Sequence, residues 1–146
     1  MKKLLLGLSM LFLSSCMILA PIISSFKETG ATQSDREMLF QKAIKEFHTL
    51  EATRNPEQAA VFAKSENKMA MANTFRERSL SERIVESTIG LLEYQDEARK
   101  AFVTVNKKYF RVPQYMVKER REKETWEFIS SLEGWRIASI ELISTR

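Results

Sequence analysis

The chain has 146 residues, with 23 basic against 19 acidic, one cysteine and one histidine. That is a one-domain length with no internal disulfide and no cysteine–histidine zinc site. The net charge of +4 includes Lys2 and Lys3. Without them the balance falls to 21 basic against 19 acidic residues, too even for the concentrated basic face that nucleic-acid binding requires.

Met1-Lys2-Lys3 is a short positive start, and residues 4–13 are an apolar run, the n- and h-regions of an export signal. Leu13-Ser14-Ser15-Cys16 follows. This stretch resembles the lipobox of bacterial lipoproteins, in which small residues let the signal peptidase grip the backbone and the thiol accepts diacylglycerol. The resemblance implies cleavage after residue 15, with Cys16 as the lipidated first residue and residues 16–33 as a membrane-proximal tether. Residues 4–26 carry no charge and are also long enough to span a bilayer, so an uncleaved signal anchor is the alternative. The apolar stretch 17–23 (MILAPII) favours that alternative, since lipoprotein tethers are usually polar. Both readings put the rest of the chain on the side away from the cytoplasm, because the positive end stays inside. Met17 is not the aspartate of an inner-membrane retention signal, so the lipoprotein reading implies the outer membrane in a two-membrane bacterium.

About 120 residues remain to fold, enough for one core without cross-links. The spacing Ser34-Asp35-Arg36-Glu37 predicts a capping box, and Phe40, Ala43, Ile44, Phe47 and Leu50 predict a helix over 35–53. Asn55-Pro56 restarts a second helix over 56–72, with Met69 and Met71 as adaptable core filling. The short link predicts a helical hairpin. Residues 84–94 are predicted as a strand, as are 98–111, where Ala101, Val103 and Val105 alternate with polar positions. Beyond Pro113, residues 114–130 and 135–143 form an aromatic-bearing hairpin about Glu133-Gly134. The expected domain, 34–146, is α+β: a helical hairpin packed on a curved antiparallel sheet of about four strands.

The stretch TWEFISSLEGWRIASIEL, specifically its part from Trp126 to Ile140, resembles the C-terminal signature of the nuclear-transport-factor-two-like superfamily. That resemblance implies a cystatin-like cone with a pocket at its open end. The superfamily hosts enzymes, binding domains, secretion-system subunits and small lipoproteins, so the fold licenses no activity. The aspartate, histidine and tyrosine set of its isomerase and dehydratase members has no match here.

No catalytic signature, cofactor motif or metal set emerges. His48 lacks a positioned neighbour in the sequence and reads as a surface or boundary residue. Residues 118–124 (KERREKE) put charge on both faces of a strand, which predicts a solvated edge or a hairpin end beyond the sheet, with Arg120 and Arg121 as candidates for docking a partner. Tyr109, Phe110, Tyr115 and Met116 flank Pro113 as candidates for the mouth of the cone. The chain is therefore expected to be a non-enzymatic envelope lipoprotein, held to membrane lipid through Cys16 and binding a protein partner or small apolar ligand. The alternative is an inner-membrane, single-pass subunit of a secretion or conjugation apparatus.

Overall fold

The structure, a computed structural model, describes residues 29–146. Cys16 and the expected signal or anchor segment lie outside the described residues. Among these residues no helix is long and apolar enough to cross a membrane. The fold is α+β. Three helices, α1 (Gln33–Ala52), α2 (Pro56–Ala59, continued by a 3-10 turn Ala60–Phe62) and α3 (Lys68–Ser81), precede four strands. The strands β1 (Glu82–Gln95), β2 (Lys100–Arg111), β3 (Lys118–Ser130) and β4 (Gly134–Thr145) form an antiparallel sheet in chain order.

Local chemistry sets most boundaries. Helix α1 is capped two residues earlier than expected: the Thr32 hydroxyl accepts from the Asp35 amide, and the Asp35 carboxylate accepts from the Thr32 amide at 3.1 Å. Ser34 thus lies inside the helix. Asn55 caps α2 and Pro56 fills its first turn, as expected. The predicted helix over 56–72 is corrected. Ala63 turns extended and forms a parallel bridge to Ile137, Lys64 N donates to the Ile137 carbonyl, and the Asn67 side chain donates to the Ala138 carbonyl. Pairing to the edge of β4 satisfies backbone groups that a continuous helix would have satisfied internally, and tertiary contact overrides propensity. The helix that restarts at Lys68 leaves Met69 80 % exposed, so it is not core filling, whereas Met71 packs against the core.

The helices cover one face of the sheet. Phe40 meets Tyr94, Trp126 and Trp135 edge-on, and Phe47 meets Phe62, Phe75 and Trp126. Such rings contribute about 0.5–1.5 kcal/mol per pair beyond their burial. Near the start of α1, Arg36 fastens two segments: it donates to the Gly30 carbonyl, and through Nε and Nη2 to the Glu97 carbonyl. That second bond braces Asp96, Glu97 and Ala98, all at positive φ, a conformation costing roughly 1–2 kcal/mol per residue.

Residues 118–124 are neither an edge nor a hairpin end. They fall in β3, an interior strand hydrogen-bonded to β2 and β4.

Candidate functional site

Strand periodicity carries charge into the interior. On β2, Ala101, Val103 and Val105 face the helices, and two residues on, in the same row, comes Lys107. On β3, the row running back from Trp126 is Glu124, Glu122 and Arg120. Residues 119, 121 and 123 take the outer face and are exposed. The sequence reading that neither face could pack is thus corrected: one face of KERREKE is buried, because its charges meet partners from α1, α3, β1 and β2.

Lys107 is fully buried, with Nζ 2.6 Å from Glu51, 2.9 Å from Glu122 and 3.6 Å from Glu124. Arg120 lies directly across from Lys107 in the β2–β3 register, and Glu122 neutralises the two cations together, with Arg120 Nε at 3.0 Å. Glu122 also accepts from Arg78 of α3 at 2.9 Å. Glu82, at the start of β1, accepts from Arg120 Nη1 and from Arg111. Arg120 stacks over the buried Tyr109 ring, 4.6 Å from guanidinium to centroid. Trp126 Nε1 donates to Glu124 at 3.0 Å, joining the ion pairs to the aromatic core.

His48 is the main correction to the sequence reading: it is buried, 8 % exposed, with Nδ1 3.1 Å from Glu51 and Nε2 3.4 Å from Glu124. Burial pushes its pKa down, but the carboxylates of Glu124 and Glu51 beside its two ring nitrogens outweigh that and raise it from 6.5 to about 9. Burial likewise opposes ionisation of Glu51, and the Lys107 charge with the His48 hydrogen bond overcomes it, lowering the carboxyl to about 2. Burial opposes the charge on Lys107 too, yet the three glutamates raise its pKa; Glu122 is lowered in the same way by Lys107, Arg120 and Arg78. His48, Glu51, Lys107 and Glu122 are therefore held in their charged forms at neutral pH. Ligand atoms of His48, Glu51 and Glu124 lie within 4.8 Å of one another, a spacing that would suit a divalent cation. The Lys107 ammonium already stands between those carboxylates, and a protonated His48 has no lone pair to give.

No protein-family model matches the chain. No curated protein matches it either. Among solved structures it resembles the intermembrane space region of the chloroplast protein ARC6, at 9 % identity and a TM-score of 0.52 over 71 % of this chain and 93 % of that one. At that identity the likeness concerns the fold alone.

The candidate residues from the sequence separate. Arg120 is interior, while Arg121 points outward and is exposed. Tyr109 is buried on the helix-facing side, under Arg120. Phe110 takes the next position on β2 and meets Tyr115 at 5.5 Å, and Tyr115 and Met116 are exposed in the loop between β2 and β3. Tyr109 and the other three thus do not line one opening. The sequence signal for the ion cluster was its two-residue spacing. Continuing the row 101, 103, 105 by one step reaches Lys107, and stepping back from Trp126 reaches Glu124, Glu122 and Arg120.

Proposed function

We propose that the chain is a membrane-anchored bacterial envelope lipoprotein whose α+β domain binds or scaffolds and does not catalyse. The observation carrying the non-enzymatic part is the state of the titratable groups inside the domain. His48, Glu51, Lys107, Glu122 and Glu124 are paired with one another at 2.6–3.6 Å, so these groups are already engaged in internal ion pairs rather than held open for a substrate. The anchor rests on the Leu13-Ser14-Ser15-Cys16 motif, with lipid attached at Cys16. The order of helices followed by four antiparallel strands, and the hairpin from Trp126 to Ile140, support a nuclear-transport-factor-two-like cone with its curved sheet.

Partner contact falls to the exposed residues: Arg121 on the outer sheet face, and Tyr115 and Met116 in the loop between β2 and β3. That loop is at the end of the sheet opposite Gly30, through which the tether joins the domain. A protein or small apolar ligand met there would be held away from the membrane. The lipoprotein faces away from the cytoplasm, in the outer membrane where there are two.

Labelling the expressed chain with a palmitate analogue tests the anchor. Label on the parent chain and none on Cys16→Ala is the expected outcome; an unlabelled parent chain refutes it. The apolar segment 17–23 favours a second reading, an inner-membrane signal-anchor subunit of a secretion or conjugation apparatus. An unlabelled chain that resists extraction from the inner membrane selects that reading.

A further inference from the structure

The loop between β2 and β3 and the sheet end behind it bring together two chemistries. Residues 112–117 (VPQYMV) hold no charge and are all exposed, Tyr115 by 75 % and Met116 by 71 %. The Val112 amide donates to the Ser81 carbonyl, which sets the loop beside Leu80 at the end of α3, another exposed apolar side chain. Exposed apolar groups gathered in one place mark a contact surface.

Behind the loop the surface turns basic. Phe110 faces outward, opposite the buried side taken by Tyr109, and its ring meets Tyr115. Arg83 stands across from Phe110 in the β1–β2 register, its guanidinium bonded to backbone carbonyls of residues 79, 80 and 82. Further back, Lys108, Glu119 and Arg121, with the polar Thr88, Asn106 and Ser144, line an open depression of about 370 Å³. Lys118 adjoins the loop, and Arg111 on its other side is answered by Glu82. On these strands Arg83, Lys108, Lys118 and Arg121 therefore stand against Glu86 and Glu119, a positive excess.

We infer that this end of the domain docks onto an anionic bilayer, with Tyr115, Met116 and Val117 entering the interface and the cations meeting lipid phosphates. Lys108 lies two residues behind Phe110, about 7 Å along the strand, and the headgroup layer is roughly 5–8 Å deep. Tyrosine suits that boundary because its ring is apolar and its hydroxyl is wetted. Protein partners are anchored by side chains filling pockets. Here the apolar groups sit on one uncharged loop with a cationic belt behind them, the layered order of a lipid interface. The loop is at the end of the sheet opposite Gly30, so the bilayer it meets is a second one facing the membrane that carries the tether. The inference rests on the membrane-anchor reading and names what the exposed end of the domain contacts.

The experiment reconstitutes the full chain through its N-terminal segment into neutral phosphatidylcholine vesicles and adds protein-free vesicles of a second colour. Vesicles containing phosphatidylglycerol are expected to be captured, less so as salt is raised, and pure phosphatidylcholine vesicles much less. Arg121→Gln is expected to weaken capture about fivefold. The double variant Tyr115→Ser, Met116→Ser is expected to weaken it by at least about tenfold. All three side chains are exposed, so an unchanged unfolding midpoint separates lost docking from a lost fold. Absence of capture overturns the inference, as does equal capture of neutral and anionic vesicles, or capture unchanged in the variants. Clumping of the protein-bearing vesicles by themselves also overturns it and makes the partner a second copy of this chain. A chain that the first vesicles do not retain contradicts the anchor instead, and its direct binding to phosphatidylglycerol vesicles, with the same variants, then tests the loop.

Discussion

Replacing Lys107 by methionine removes the cation at the centre of the interior cluster and leaves side-chain volume nearly unchanged. The variant keeps Glu51, Glu122 and Glu124 around the site, having lost a partner at 2.6, 2.9 and 3.6 Å. Breaking a buried pair by removing one member costs roughly 3–5 kcal/mol, since the other charge stays buried and uncompensated. His48 and the arginines still answer part of that charge, which places the expected loss at about 4 kcal/mol. That is a large share of the roughly 5–15 kcal/mol by which domains are stable. With an m-value of about 1.5 kcal/mol/M, the urea midpoint at pH 7 falls by roughly 2.5 M. The double variant Lys107→Met, Glu51→Gln is expected to recover about 1–2 kcal/mol of the loss, because it withdraws one of the stranded carboxylates. A single-variant loss below about 1 kcal/mol, the value of an exposed pair, would refute the claim that these charges act as a buried unit.

Two further outcomes follow from geometry already described. The His48 pKa is raised from 6.5 to about 9, so its stabilising contribution is complete below pH 6.5 and lost as pH rises through about 9, amounting to about 3 kcal/mol. Glu51, lowered from 4.5 to about 2, contributes fully above pH 4.5 and loses that contribution as pH falls through about 2. Urea titrations should therefore show a maximum between about pH 4.5 and 6.5, and a stability that is flat from pH 6 to 9.5 contradicts a protonated, doubly paired His48. Gly30→Ala places a Cβ 2.6 Å from Phe128 Cζ at a φ of +65°, and a loss of about 2 kcal/mol is expected in a thermal scan. A change under about 0.5 kcal/mol would show that the start of the domain does not hold this packed geometry.

The order of elements was legible because its signals are local. Phe40, Ile44 and Phe47 repeat at helical spacing, Asn55-Pro56 restarts the chain, and the alternation at 101–105 marks β2. The break at Ala63 was not legible, since its cause, Ile137, is far away in sequence and draws the chain out of the helix by backbone pairing. The capping box was misplaced because Ser34 and Glu37 have the right spacing, but so do Thr32 and Asp35. The interior cluster was hidden for a different reason. A run of alternating charge looks the same whether its partners are water or other side chains. Arg120, Glu122 and Glu124 are buried because Glu82, Lys107, His48 and Glu51 come from three other elements to meet them. Composition carries no trace of that convergence, and only the two-residue rows through Val105 and Trp126 pointed inward.

Arg36, Phe40, Phe47, His48 and Glu51 follow one another along α1, and the medium around the helix changes along its length. The first turns lie in hydrocarbon and aromatic rings, and the last turns lie in what amounts to a fixed fragment of salt solution. Water entering at the ring end would have to open a dry cavity, whereas water entering at the ionic end finds groups it solvates well. Backbone amides in the last turns of α1 and the first residues of β1 should thus exchange with solvent through smaller openings than those beside Trp126 and Trp135. The domain holds firmest near the end where its chain arrives and yields first at the opposite end.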